Sequence, residues 1–129
     1  MRRLYALVLA VALVGLGGAA PAADVKPTVV YLSAEDCSTC RGWERSELPA
    51  FERSVQRRKV DWREVRVKTL RRINQQSEWP ADLEWLRAQV PESSTPRFYL
   101  IQGDRLIAKG DGTSGWTNAV LPAIKQLGG

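Results

Sequence analysis

The segment from Thr28 to Cys40 constrains this chain more than any other. Thr28-Val29-Val30-Tyr31-Leu32 is β-branched and apolar without polar alternation, the pattern of a strand covered on both faces. The link Ser33-Ala34-Glu35-Asp36 leads straight into Cys37-Ser38-Thr39-Cys40. Asp36 and Ser38 are helix-capping residue types and good helix formers follow, so a helix is expected to begin at or near Cys37. A sulfur at that point meets unsatisfied backbone N–H groups and the positive end of the helix dipole, both of which favour a thiolate. The second cysteine lies one turn further on, where it can attack a mixed disulfide formed by the first. On this reading Cys37 is the exposed nucleophile and Cys40 the more buried resolving thiol. Glu35 and Asp36 oppose the thiolate, whereas Arg41 favours it.

Two other uses of the pair compete with this one. A structural disulfide would close a loop of about four residues, constraining the unfolded chain by only about 2 kcal/mol. A closed tetrahedral zinc site needs four ligands, so two cysteines could serve one only between chains. A c-type haem attachment requires His after the second cysteine, and Arg41 stands there. The chain holds no histidine at all, which removes Ser-His-Asp and Cys-His nucleophile systems, His-based zinc hydrolases and His-ligated haem. With only two cysteines, a multi-disulfide scaffold is excluded too.

Downstream, Trp43, Ala50, Phe51 and Val55 recur at helical spacing as core candidates, with a kink or break expected at Leu48-Pro49. Val60 to Val67 reads as a second strand. Its apolar phase changes between Trp62 and Val65, which a bulge or a late strand start would explain. Thr69 to Ser77 is polar and at best helix-compatible. Trp79, Leu83, Leu86 and Val90 mark one face of a helix that has Pro80 in its first turn and Pro91 after its end. Arg97 to Gln102 and Arg105 to Lys109 form a hairpin about Gly103-Asp104, broken by Gly110-Asp111-Gly112. A last helix covers Gly115 to Leu127, bent at Pro122. Strand, helix, strand, helix, hairpin, helix is the order of an α/β domain with one central mixed sheet flanked by helices.

At 129 residues there is room for one domain and a leader. Met1-Arg2-Arg3, the apolar run Leu4 to Leu16 and the small-residue stretch Gly17 to Ala23 have the layout of a secretory signal peptide. The apolar run is shorter than the roughly 20 residues a spanning helix needs. Ala20-Pro21-Ala22 places the cut after Ala22, or else after Ala23. Residues 1–22 are thus expected to be a signal peptide and 23–129 the folded domain, with an uncleaved anchor as the alternative. Without Arg2 and Arg3 the formal charge falls from +5 to 17 basic against 14 acidic groups, an excess too slight to argue for nucleic acid. Trp62, Trp85 and Trp116 read as packing rather than as a substrate rim. Arg57-Arg58-Lys59 and Arg71-Arg72 read as solvated surface.

The chain resembles the thioredoxin-like family, in particular its exported bacterial members. The resemblance rests on Val29-Val30-Tyr31-Leu32 before Cys37-Ser38-Thr39-Cys40, and on Ser94-Thr95-Pro96-Arg97-Phe98-Tyr99-Leu100-Ile101 followed by a turn and Gly110-Asp111-Gly112. It spans roughly Pro27 to the C-terminus. It implies a thioredoxin-like fold with an added helix before the strand that Pro96 opens. It further implies that Pro96 is cis and beside Cys37, and that the Thr95 backbone can bind an extended substrate segment. A proline at the first position of a strand is also one of the few places a sheet tolerates it. Four positions depart from common thioredoxins. Asp36 replaces the Trp before the first cysteine, Ser38-Thr39 replaces Gly-Pro, and Tyr31 stands where a buried acid is usual.

The expectation is an exported thiol–disulfide oxidoreductase, periplasmic or secreted. Catalysis is assigned to Cys37 and Cys40, substrate binding to Thr95 and Pro96, and the partners are protein thiols or disulfides. A membrane electron donor or acceptor is a further candidate partner. Electrons pass through the cysteines themselves, so neither cofactor nor metal is called for. Reductase is preferred to oxidase on family frequency alone. The competing reading is a non-catalytic thioredoxin-fold binding module carrying a passive disulfide.

Overall fold

The computed structural model describes Gly15 and residues 25–128. The expected leader over 1–22 and its cleavage site lie outside the described residues, Gly15 apart. Four strands form one sheet in the order β2-β1-β3-β4. They are β1 (Thr28–Ala34), β2 (Asp61–Val67), β3 (Arg97–Gln102) and β4 (Arg105–Asp111). β1 runs parallel to β2 and antiparallel to β3, and β3 is antiparallel to β4, so the sheet is mixed as expected. β1 is central and buried from Val29 to Ala34, which accounts for its unbroken apolar character.

Each face of the sheet carries its own core. Val30, Leu32, Val65, Val67, Tyr99 and Ile101 pack on one face, beneath Ile73, Trp79, Leu83, Leu86 and Val90. Val29, Tyr31, Phe98 and Leu100 pack on the other, beneath Trp43, Phe51, Trp116, Val120 and Ile124. This two-sided burial explains the phase change in β2. Val60 and Trp62 point to the second core and Val65 and Val67 to the first. The β1–β2 register is continuous from Thr28↔Asp61 to Ala34↔Val67, so the strand starts one residue late and has no bulge.

The helix after β1 is broken where expected. α1 (Ser38–Ser46) ends at Glu47, and α2 (Leu48–Glu52) carries Pro49 in its first turn, where no backbone donor is missed. Trp43 and Phe51 are buried as anticipated, but Ala50 and Val55 are exposed. The break resets the helical phase, and Val55 lies past the end of α2, before a 3-10 turn over Gln56–Lys59.

The 69–94 excursion contains 3-10 turns at Leu70–Arg72, Gln76–Glu78 and Ala81–Leu83, then α3 (Glu84–Gln89). The added helix is therefore present but short. β4 runs on to Asp111 instead of stopping at Lys109, because Gly110 pairs with Phe98 and the chain turns only at Gly112, with φ +68°. A register shift opposite Leu100/Ile101 leaves Ile107 unpaired and sends Leu106 and Ala108 to opposite cores. The last helical run begins at Gly112, three residues earlier than expected, with α4 (Gly112–Gly115), a π-turn over Trp116–Val120 and α5 (Leu121–Lys125). Pro122 has no N–H to return to the preceding turn, and the widened turn sits just before it.

Candidate functional site

Three chain segments meet at the C-terminal end of β1. The first is the start of α1. Cys37 is its N-cap, and the Cys37 Sγ accepts the Cys40 N–H at 3.0 Å. Cys37 and Cys40 are joined as a disulfide, with Cα atoms 5.2 Å apart. The second segment is the entry to β3, where the Thr95-Pro96 peptide is cis. The Thr95 hydroxyl donates to Cys37 Sγ at 3.2 Å. The third is the β4–α4 corner, where Gly112 N–H donates to the Pro96 carbonyl at 2.8 Å. The structure thus brings Cys37, Cys40, Thr95 and Pro96 into one place.

One expectation is corrected. Cys37 is only 3% exposed, and Cys40 is fully buried. The pair sits within the first core, and the Thr95 hydroxyl lies against Cys37 Sγ. The contrast in exposure between the two sulfurs is therefore small in the disulfide state.

The charges around the pair are largely committed to other partners. Asp36 Oδ1 accepts the Leu70 N–H at 2.9 Å, which fastens the loop after β2 beside the pair. Arg41 turns back to β1, donating to Ser33 Oγ and the Ala34 carbonyl, each at 3.2 Å, and pairs with Glu44 at 3.2 Å. Its positive charge is thus shared with a carboxylate rather than presented to Cys37 alone.

Glu44 is a residue the sequence reading missed. It lies on α1 one turn beyond Cys40 and accepts from the Tyr31 hydroxyl at 3.0 Å and from Arg66 at 2.7 Å. The signal available was its i+3 spacing from Arg41. Tyr31 stacks on Phe98 and packs on Trp43, with ring centroids 5.3 and 4.9 Å away. Burial, helped by the hydrogen bond to Glu44, raises its phenol well above the ordinary 10.0. Trp116 is core, and Trp62 and Trp85 are half-buried against the second and first cores.

Arg97, next to the cis proline, is also unanticipated. It is fully buried on the face of Leu32, its β1 partner. Its Nη2 donates to Asn74 Oδ1 at 3.0 Å, its Nη1 lies 3.8 Å from Glu92 Oε2, and its guanidinium stands 5.9 Å from the Tyr99 ring. Asn74 in turn donates to the Glu92 carbonyl at 2.8 Å and accepts Arg87 Nη1 on its own carbonyl at 3.0 Å. These bonds tie the 69–94 excursion to the base of the Thr95-Pro96 segment.

No protein-family model matches the chain, and no curated protein matches its sequence. Solved structures do match in three dimensions. The periplasmic thioredoxin SoxS from Paracoccus pantotrophus, in its reduced form, superposes with a TM-score of 0.56 at 18% identity, covering 78% of this chain and 97% of that one. Thioredoxin f2 from Chlamydomonas reinhardtii gives 0.52 at 17% identity, covering 79% of each chain. Thioredoxin f from spinach chloroplast gives 0.53 at 16%, covering 81% of this chain and 78% of that one. The fold is thioredoxin-like, and it carries a Cys-x-x-Cys disulfide.

Proposed function

We propose that this chain is an exported thiol–disulfide oxidoreductase that reduces disulfides in protein substrates. The observation that carries the reading is the Cys37–Cys40 pair at the N-terminus of α1, with the hydroxyl of Thr95, the residue before cis Pro96, against its first sulfur. In the reduced protein the Cys37 thiolate attacks a substrate disulfide, forming a Cys37–substrate disulfide and releasing one substrate thiolate. The Cys40 thiolate then attacks Cys37 Sγ, closing the internal disulfide and releasing the second substrate thiolate. Two electrons have passed to the substrate, and the two released thiolates take protons from solvent. A dithiol donor, soluble or membrane-borne, must return two electrons to the pair. The extended substrate segment lies along Thr95-Pro96, whose backbone opens β3. Export is supported by the leader pattern of residues 1–22 and by likeness to a thioredoxin described as periplasmic.

A second reading, a binding module with a passive disulfide, draws support from the 3% exposure of Cys37. Insulin reduction by dithiothreitol separates the two. The wild type accelerates precipitation of the insulin chains, and Cys37→Ser abolishes that acceleration. Equal rates for the two proteins would sink the enzymatic reading. In the reduced protein, Cys37 alkylates quickly near neutral pH while Cys40 does not. Slow and equal labelling of both would favour the passive disulfide.

A further inference from the structure

Residues 91–95, which lead into the cis proline, belong to no helix or strand. Val90 and Pro96 are buried at the two ends, while Pro91, Ser93 and Ser94 are exposed between them. Among the described residues, no hydrogen bond between main-chain groups holds any of the five. An exposed stretch without backbone partners belongs to the mobile end of a structure. Yet this one keeps Thr95 beside the redox pair, its hydroxyl 3.2 Å from Cys37 Sγ.

Side chains hold the segment instead. Asn74 Nδ2 donates to the Glu92 carbonyl at 2.8 Å and to the Pro91 carbonyl at 3.4 Å, while its Oδ1 accepts Arg97 Nη2 at 3.0 Å. Arg97 Nη1 faces Glu92 Oε2 at 3.8 Å, and the other oxygen of that carboxylate accepts Lys109 Nζ from β4 at 2.6 Å. These contacts close a circuit from Arg97 to Asn74 to Glu92 and back, with residues 93–96 bracketed inside it. A guanidinium suits the task because its planar fork reaches two acceptors at once. Arg97 is fully buried, and among the described residues it makes no hydrogen bond or ion pair with either cysteine. An apolar side chain of similar volume often fills such a place at no loss of stability. What the charge adds is one fixed arrangement of the chain around it.

We propose that Arg97 is a positioning residue of the redox site, holding residues 91–95 through Asn74 and Glu92 in the one conformation that lets an extended protein segment dock beside Cys37. It touches neither substrate nor sulfur. This rests on the oxidoreductase reading and deepens it, because it assigns a preference for protein disulfides over small ones to a buried cation behind the cis proline. A small disulfide needs only the Cys37 sulfur, so its exchange is indifferent to how well the segment is ordered. A disulfide carried on an extended chain needs the segment too. Its apparent affinity falls with the fraction of molecules that hold the segment in place.

The test sets two disulfides against the same reduced full chain: insulin, and bis(2-hydroxyethyl) disulfide, which is small and uncharged. Each reaction converts the Cys37–Cys40 dithiol to its disulfide and one substrate disulfide to two thiols. Second-order rate constants are measured in single turnover, by acid quench and mass spectrometry, at a temperature where every variant is folded. The variants are Arg97→Met, Asn74→Ala and the two combined. Losing one hydrogen bond to a charged group corresponds to about a tenfold change in an equilibrium. Arg97→Met should therefore react about tenfold more slowly with insulin and at the wild-type rate with the small disulfide. Asn74→Ala should show the same split. Both break one circuit, so the double variant should be no slower on insulin than the slower single variant, whereas independent sites would give about a hundredfold loss. A change in global stability alone moves both substrates together or neither.

Wild-type rates on insulin in Arg97→Met, equal losses on the two substrates, or multiplying losses in the double variant would each overturn the proposal. Should Arg97→Met fail to fold, Asn74→Ala opens the circuit at its next member and is read in the same way. A wild type that reduces neither disulfide removes the oxidoreductase reading and this inference with it. A wild type active on both, with no selective loss in either variant, removes this inference alone.

Discussion

The backbones of Gly110 and Gly115 lie against each other at the corner where β4 becomes α4. A Cβ built on Gly110 would stand 2.3 Å from the Gly115 carbonyl oxygen, and one on Gly115 would stand 2.6 Å from the Gly110 carbonyl carbon. Both obstacles are main chain, which cannot swing aside as a side-chain tip can. Between them lies Gly112, whose N–H holds the Pro96 carbonyl, so this close approach also fixes the backbone beside the Cys37–Cys40 disulfide.

Gly110→Ala and Gly115→Ala should each be destabilising at or above the upper end of the roughly 1–3 kcal/mol typical of overpacking. Urea unfolding checks this through a lowered midpoint at an unchanged slope. Gly42 offers a control within α1. A Cβ there meets nothing within 4 Å, and alanine should be neutral or mildly stabilising. Equal stability of all three variants and wild type would contradict the geometry.

A second prediction concerns the buried guanidinium. Asn74 supplies Arg97 with its hydrogen bond at 3.0 Å, and among the described residues Arg97 Nε and Nη1 have no hydrogen-bond acceptor. Asn74→Ala leaves the charge in place with its acceptor gone, and it also frees the Glu92 carbonyl. A lost hydrogen bond to a charged group is worth about 1.5–3 kcal/mol, so Asn74→Ala should fall in that range. Arg97→Met removes the charge together with its need for partners and should cost less. Chemical denaturation of the two variants decides the order, and a larger loss in Arg97→Met would refute it.

The fold was readable where one physical rule acted alone. A continuous apolar run and turn chemistry set β3 and the Gly103-Asp104 turn, and Gly103 has the positive φ of +60° that such a turn needs. Pro49 marked the break between α1 and α2 for a similar reason. Readings failed where tertiary contact overrode the local signal. Gly110-Asp111 looked like a breaker, but pairing with Phe98 and contact with Gly115 keep it in the strand. The burial of Arg97 had no local signal, since nothing near it in sequence announces that Asn74 and Glu92 will close over it. Of the site, the cysteines and the Thr95-Pro96 pair were legible as motifs. The Thr95 hydroxyl contact and the Glu44 hub were not, because each depends on where side chains from distant elements converge.

A third prediction follows from Glu92. Its carboxylate accepts from Lys109 Nζ at 2.6 Å and faces Arg97, and the Lys109 hydrogen bond is the first cause holding it below its ordinary 4.5. A depressed folded-state value means the unfolded chain takes up the proton first. The stabilisation is complete above the unfolded value and is lost as pH falls through the folded one. Lys109 is more than half exposed, so screening limits the pair to about 0.2–1 kcal/mol. Glu92→Gln should lower stability by about that much at neutral pH and close the gap to wild type at pH values well below 4.5. Thermal melts across that range measure it. A constant gap at every pH would assign the loss to packing instead.

The last prediction concerns Tyr31, on the central strand β1. A phenol accepts a proton only as phenolate, and burial raises this one well above its ordinary 10.0. It is therefore neutral at any pH where the protein would work, and it cannot take the proton that leaves Cys40. Its hydroxyl instead donates to Glu44, which also holds Arg41 and Arg66. Tyr31→Phe removes one neutral donor from a well-occupied carboxylate and keeps the ring stacked on Phe98 and Trp43, so it should cost about 1 kcal/mol. Glu44→Leu removes the shared acceptor, leaving the buried hydroxyl and two cations short of a partner, and should cost more, about 1–3 kcal/mol. In turnover, Tyr31→Phe should keep the wild-type pH–rate profile, since it deletes no titrating group in that range. A profile displaced in Tyr31→Phe, measured with the same protein substrate, would place the phenol in the proton path after all.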